Sequence, residues 1–264
     1  MLSYYKKLND FSGQNVVVTG GTGLLGTEIV KCFAAHNART IIADINEGIA
    51  ESLSKEIKAS GGNANFITFD ISELEVLSEN ITRIERAFGE VDVWVNNAYP
   101  RTDDWSLKLE DVSVESWRKN IDMHLNSYCI CSNEIAKRMA RRKRGAIVNV
   151  GSIQSLVAPD FSIYEGTDMT SPAAYTAIKG GIATYSKYLA SYYGKDNVRV
   201  NVVCPGGIFN NQSETFVERY SGRTLLGRMA KPEEIAAVIV FVSSGAASYM
   251  TGSVVVVDGG LTAI

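Results

Sequence analysis

The chain is poor in the residues that would signal metal, disulfide or membrane chemistry. Its four cysteines, Cys32, Cys129, Cys131 and Cys204, form no CxxC pair and sit in no histidine-rich spacing, so neither a zinc site nor a disulfide framework is expected and a reducing compartment fits best. No segment offers the roughly 18 uninterrupted apolar residues of a membrane-spanning helix, and the opening stretch MLSYYKKLND lacks the apolar core of a secretion signal. A net charge of −3 supplies no general field for nucleic acid or an anionic lipid surface. Prolines number only 5 in 264 residues, and no linker, repeat or low-complexity stretch divides the chain. These absences lead to the expectation of a cytoplasmic protein with a small-molecule substrate, no nucleic-acid partner and no membrane partner. Residues 1–264 are expected to form one domain, a length at which α/β folds commonly build a single core.

Short β-branched runs recur between longer helical patterns. They are NVVVTG from Asn15, RTIIAD from Arg39, NFITFD from Asn65, VDVWVN from Val91, then GAIVNVGS, NVRVNVV and GSVVVVDG. Both faces of these runs are apolar, which suits strands covered by helices on each side, and the intervening stretches are long enough for right-handed crossovers. The pattern predicts an α/β, doubly wound, seven-stranded parallel sheet of Rossmann type with helices on both faces. A basic run, Lys137 to Arg144, closes the helix that begins near Ser113; it reads as a solvated helix end whose charges complement the helix dipole. The one long segment without a clear period is Gln154 to Ser171.

The first strand runs into Gly20, Gly21, Thr22, Gly23, Leu24, Leu25 and Gly26, and a helix is expected from Thr27 to Ala35. Glycines at a strand-to-helix turn let the backbone bend sharply, approach a pyrophosphate and bring the helix N-terminus to face the anion. Asp44, at the end of the second strand, is placed to accept the ribose hydroxyls of a dinucleotide. Tyr175 and Lys179 are four residues apart in the helical pattern AAYTAIKGGIATYSKYLA, so their side chains leave one helix face and can converge on one ligand. Bringing a tyrosine from a pKa of about 10 to near 7 takes about 4 kcal/mol. A lysine ammonium together with an oxidised nicotinamide ring could supply it in a partly desolvated cleft. Ser152 follows the fifth strand at the C-terminal edge of the sheet, where open α/β folds place their ligands.

In order and spacing the chain resembles the short-chain dehydrogenase/reductase family over nearly its whole length. The matching stretches are TGGTGLLG at Thr19 to Gly26, Asp70, Asn96-Asn97-Ala98, NVGS ending in Ser152, YTAIK at Tyr175 to Lys179, NVVCPGGI at Asn201 to Ile208, GRMAKPEEIA at Gly227 to Ala236, and VDGG at Val257 to Gly260. The resemblance implies that Tyr175 is the general acid/base, Lys179 its activator and ribose ligand, and Ser152 the binder of the substrate oxygen. It assigns the dinucleotide to Gly20, Thr22, Gly23, Leu25, Gly26, Asp44, Asp70, Ile71, Asn97, Ala98, Tyr99, Tyr175, Lys179, Pro205, Gly206 and Ile208, and implies a homodimer or homotetramer. Asp44, with no basic residue in the glycine turn, favours NAD over NADP, because a 2′-phosphate would meet a carboxylate.

Three positions depart from the family pattern. Leu24 stands where a glycine is usual, His124 stands where the family has a catalytic asparagine, and Tyr99 follows Asn96-Asn97-Ala98. His124 either takes over that asparagine's role or packs. The loop between Ser152 and Tyr175 is longer than usual and rich in polar groups, and with the NNAYPR stretch it resembles a branch associated with bacterial surface-glycan and flagellin sugar pathways. Gln154, Tyr164, Glu165 and Arg101 are the candidate substrate contacts. The expected activity is hydride transfer between NAD(H) and a hydroxyl or carbonyl carbon of a polar, sugar-like substrate. The alternatives are a 3-oxoacyl-thioester reductase and a dinucleotide-binding sensor or scaffold without turnover.

Overall fold

The computed structural model describes residues 2–263. After a short helix α1 (Leu2–Lys7), the chain alternates strand and helix: β1 (Asn15–Thr19), α2 (Leu24–Ala35), β2 (Arg39–Asp44), α3 (Glu47–Ala59), β3 (Asn63–Thr68), α4 (Leu77–Phe88) and β4 (Val93–Asn96). There follow α5 (Val114–Asn120), α6 (Ser127–Arg141), β5 (Gly145–Val150), α7 (Ala173–Tyr193), β6 (Val198–Pro205), α8 (Glu214–Gly222), α9 (Pro232–Ser243) and β7 (Val254–Val257). The strands form one parallel sheet in the order β3-β2-β1-β4-β5-β6-β7. The expected doubly wound seven-stranded sheet is therefore present. Its β3 and β4 each lie two residues from the sequence-based estimate at their starts, because pairing with neighbouring strands, rather than composition, decides where a ladder begins.

Side chains alternate across the central strands into two apolar layers. Val16 and Val18 join Ile29, Phe33, Ile235 and Ile239 of α2 and α9 on one face, while Val17, Trp94 and Ile147 join Ile81, Ile135, Met139, Ile178 and Ile182 of α4, α6 and α7 on the other. Within the second layer a buried polar chain runs from Trp94 Nε1 to Asn96 Oδ1 (2.7 Å), from Asn96 Nδ2 to Asn149 Oδ1 (2.7 Å) and from Asn149 Nδ2 to Ser186 Oγ (2.8 Å). It fixes β4, β5 and α7 against one another, and so aligns the ends of these elements where the site lies.

Two local readings are corrected by the structure. The helix after the glycine turn begins at Leu24, not Thr27. The basic run is a solvated helix end only in part: Lys137, Arg141, Lys143 and Arg144 are exposed, but Arg138 and Arg142 are largely covered and reach across to Glu85 of α4 (3.1 and 3.9 Å), while Arg144 pairs with the buried Asp92 (2.7 Å). The run is a packing device that docks α6 on α4, a contact between segments more than 50 residues apart and so invisible to local pattern.

Candidate active site

β1 and β4 are adjacent in the sheet, but their following connections leave toward opposite faces, which opens a crevice at their C-terminal ends. The glycine turn forms its floor. Gly20 has φ +62°, and a Cβ there would stand 2.6 Å from Ala98 Cα; at Gly26 a Cβ would stand 2.0 Å from Gly20 O. Only glycine fits either place. Thr19 Oγ1 accepts from the N–H groups of Asn97 (3.0 Å) and Ala98 (3.2 Å), and Asn97 Nδ2 donates back to the carbonyls of Thr19 and Gly20 (3.1 and 3.0 Å). Gly23 is the N-cap of α2, and no side chain caps that helix. Its first-turn N–H groups, from Leu24, Leu25 and Gly26, therefore face the crevice as an anion cradle. Leu24 is exposed on the first turn and leaves this geometry intact.

Asp44 is buried at the end of β2. Its Oδ2 accepts from Thr22 N (3.0 Å) and its Oδ1 from Asn46 N (2.9 Å), which pins the carboxylate beside the turn. Arg39 is at the other end of the same strand, bonded to Gly13 O, so it is remote from Asp44. Asp70 Oδ1 accepts from the N–H and hydroxyl of Ser72, and the neighbouring Ile71 is buried. On the far wall, Pro205 ends β6, Gly206 N bonds to Val257 O, and Ile208 bridges to Ala230. A dinucleotide fits this set: glycines where a Cβ would block the backbone, an uncapped helix end for phosphate, and a carboxylate at the ribose position.

The residues expected to transfer the proton meet at the same edge. Ser152 is buried after β5, with Oγ accepting from Gln154 N (3.2 Å). Tyr175 projects from the first turn of α7 and Lys179 from the next, as the four-residue spacing requires. Burial pushes the Tyr175 phenol upward, and the adjoining Ser152 hydroxyl works against that. Burial likewise pulls Lys179 down to about 7. Its Nζ donates to Val150 O (2.8 Å) and lies over the rings of Tyr128, Tyr175 and Tyr99 at 5.4, 5.6 and 5.8 Å. The surrounding protein thus holds the phenol protonated and leaves to an oxidised nicotinamide much of the lowering expected from the sequence.

His124 is fully buried, 3.4 Å from Lys179 through Nε2. While Lys179 is an ammonium it can only donate, so Nε2 then accepts and Nδ1 carries the proton, and Nδ1 has no partner among the described residues. Burial and the Lys179 charge hold His124 well below the usual histidine range. The ring is delivered by a π-helical turn, Ile121–Asn126, between α5 and α6. No local pattern marks this turn; one extra residue per turn shifts the register of the following helix and re-aims a side chain.

Tyr99 is the hub on the substrate side. Its ring edge meets Tyr175 (5.9 Å between centroids), His124 (5.2 Å) and Trp105 (5.9 Å), and its hydroxyl accepts from Trp105 Nε1 (2.8 Å). Arg101 lies over the ring at 5.0 Å. Gln154 Oε1 accepts from Ser171 and Thr176, which ties both ends of the long loop together. Tyr164 packs on Phe216 of α8 (5.5 Å). Glu165 is exposed, and what the structure anchors there is its backbone carbonyl, held by Arg219. Sequence reasoning missed Trp105, Arg219 and Arg223, because nothing local marks a residue whose partner lies elsewhere in the fold.

A cavity of about 500 Å³ opens at the opposite edge of the sheet. Its charged groups are already satisfied, Arg144 by Asp92 and Arg199 by the carbonyls of Val242, Ser243, Ser244 and Met250. The residues expected to carry the chemistry lie instead at the glycine edge.

The family model described as Enoyl-(Acyl carrier protein) reductase matches residues 23–262. The chain is 31% identical over 247 residues to the post-translational flagellin modification protein A of Campylobacter coli, covering 93% of this chain and 96% of that one. It is 34% identical over 251 residues to a 3-oxoacyl-[acyl-carrier-protein] reductase of Chlamydia muridarum, again covering 93% and 96%. A short-chain dehydrogenase from Leptospira borgpetersenii, solved with bound NAD+, superposes with a TM-score of 0.85 at 30% identity, covering 96% of this chain and 94% of that one. No described helix is long and apolar enough to cross a membrane. With a family model spanning almost the whole chain and relatives matched nearly end to end, the protein belongs to the short-chain dehydrogenase/reductase family and is an NAD(P)-dependent oxidoreductase acting on a hydroxyl or carbonyl carbon.

Proposed function

We propose that residues 1–264 work as one NAD(H)-dependent domain that interconverts a secondary hydroxyl and a carbonyl on a polar, sugar-like small molecule, in the cytoplasm and as a homodimer or homotetramer. The observation that carries this reading is the convergence of Ser152, Tyr175, Lys179 and His124 on the edge where the glycine cradle lies. Gly20, Thr22, Gly23, Leu25 and Gly26 would hold the pyrophosphate; Asp44 the adenosine ribose; Asp70 and Ile71 the adenine end; Asn97, Ala98, Tyr99, Pro205, Gly206 and Ile208 the nicotinamide end. Bound there, the cofactor supplies or accepts the hydride. Ser152 Oγ donates to the substrate oxygen, and Tyr175 gives or takes that oxygen's proton. Lys179 stabilises the phenolate and grips the ribose. His124 acts as a positioning residue that accepts from Lys179 and holds its head beside Tyr175. The buried carboxylate of Asp44, with Arg39 a strand length away, favours NAD over NADP by charge repulsion of the 2′-phosphate.

The polar loop supports the substrate class: Gln154, Tyr164, Glu165 and Arg101 present donors, acceptors and a cation, where an acyl chain would want an apolar wall. The 3-oxoacyl reductase reading keeps its support from the 34% identical relative, and relative kcat/KM on polyol-derived carbonyls and 3-oxoacyl thioesters separates the two. The experiment on mechanism is Tyr175→Phe. It is expected to lower kcat by about 10²-fold or more, while NADH affinity by fluorescence titration stays within about twofold. Retention of most of the activity would remove Tyr175 from the reaction.

A further inference from the structure

Among the described residues Arg101 makes no ion pair and no hydrogen bond, although Asp103 and Asp104 follow it closely in the chain; Asp104 is taken up by Thr102 and Ser116. The guanidinium rests instead over the face of Tyr99 at 5.0 Å. That contact holds the cation at the crevice while leaving its N–H fork unused. Tyr99 is itself fixed: Trp105 Nε1 donates to its hydroxyl at 2.8 Å, and the indole is buried. With one lone pair occupied, the phenol's remaining hydrogen-bonding capacity includes its O–H, which no described residue receives. Burial drives its ionisation far above the ordinary range, so the hydroxyl stays a donor. An unpaired cationic fork and a locked O–H donor thus stand together, and the Tyr99 ring edge meets Tyr175 at 5.9 Å, one aromatic ring from the proton-transfer group.

We infer that Arg101 and Tyr99 form a carboxylate subsite, and that the substrate is a hydroxy acid or the corresponding keto acid whose acid group docks there while its reacting oxygen lies between Ser152 and Tyr175. The inference rests on the oxidoreductase reading above and narrows its substrate. One planar fork plus one neutral donor matches the two oxygens and single charge of a carboxylate. A phosphate dianion would call for more positive charge than this wall offers. The short distance to Tyr175 suits an open-chain sugar acid, in which a few carbons separate the acid group from the reacting carbon.

The test pairs four-, five- and six-carbon aldonates with their carboxamides and with the corresponding 4-, 5- or 6-phosphorylated neutral sugars, using NAD and the full chain. At least one aldonate is expected to exceed its amide at least tenfold in kcat/KM. In Arg101→Gln that advantage disappears through a rise in KM for the acid that is at least tenfold larger than any change for the amide, and Arg101→Lys falls between, since it keeps the charge but not the fork. Calorimetric binding of the same acid to Tyr175→Phe with NAD present repeats the ranking without turnover. Amides or phosphosugars that serve as well as acids, or an Arg101→Gln variant that loses both alike, would overturn the subsite while leaving the oxidoreductase reading intact. Absence of nicotinamide turnover with every acid, neutral polyol and 3-oxoacyl thioester would instead remove the oxidoreductase reading, and the subsite with it.

Discussion

On the cofactor side of the crevice, shape is set by main chain: Gly20 and Gly26 lie against the backbone of Ala98 and of Gly20 itself, and Asn97 braces the turn through backbone carbonyls. On the substrate side, shape is set by side chains from distant segments. Arg223 pairs with Asp160 at 2.7 Å, Arg219 reaches the carbonyls of Ser162 and Glu165, and Ile163 packs with Phe216, Tyr220 and Met229. The first region is the one proposed to hold the dinucleotide, and its backbone contacts leave little room for a side chain. The second is a clamp between one loop and α8 held by side chains. Conserving the main-chain cradle while exchanging the clamp is a physical route to many substrates on one frame.

The comparison breaks most visibly at Gly26. Gly26→Val puts a branched side chain where even a Cβ falls 2.0 Å from backbone, so NADH affinity should drop by about 100-fold or more, equivalent to about 3 kcal/mol. Fluorescence titration measures it, with circular dichroism to confirm folding. Affinity within a few-fold of the parent would mean the cradle is not the rigid element described.

Lys179 joins the two regions, and its burial carries a cost that depends on pH. Its pKa is about 7 in the fold against an ordinary 10.5, so between these values the unfolded chain binds more protons and stability rises with pH. The penalty is complete below about pH 7, of order 5 kcal/mol at most by the free energy of each pKa step. His124 on the π-helical turn, Tyr99 after β4, Tyr128 on α6, Tyr175 on α7 and Cys204 on β6 surround the ammonium, and none is a carboxylate. Lys179→Met should therefore be inactive yet more stable than the parent at pH 6 by about 2 kcal/mol, after subtracting the lost bond to Val150 O. The gain should fade toward pH 10.5. Urea melts at both ends of that range decide the point; a variant less stable at pH 6 would show the lysine is better paired than its contacts indicate.

The smallest effect belongs to the clamp. Arg219→Ala with Arg223→Ala removes exposed contacts worth about 1 kcal/mol or less to stability, so the melting temperature should fall by only a few degrees. KM for the substrate should rise about three- to tenfold with NADH affinity unchanged, and cleavage by protease in the Ser152 to Tyr175 loop should quicken. An equal loss of NADH affinity would show that the two sides are not separable.

Seven strands, the glycine turn, Asp44, and the Tyr175–Lys179 pair on one helix face were legible from residues alone. Strand alternation, turn glycines and four-residue helical spacing are local consequences of backbone geometry, so the chain encodes them in consecutive positions. The π-helical turn that turns His124 onto Lys179, the indole of Trp105 that locks Tyr99, the arginines that clamp the loop to α8, and the docking of the basic run on Glu85 had no such local signature. Each depends on which segments the sheet order brings together, and the buried His124 acquires its contact with Lys179 only when residues 55 positions apart share one dry pocket. Local geometry determined what each segment would be; only the packed fold decided which side chains would face one another without water between them, and that is where their chemistry is set.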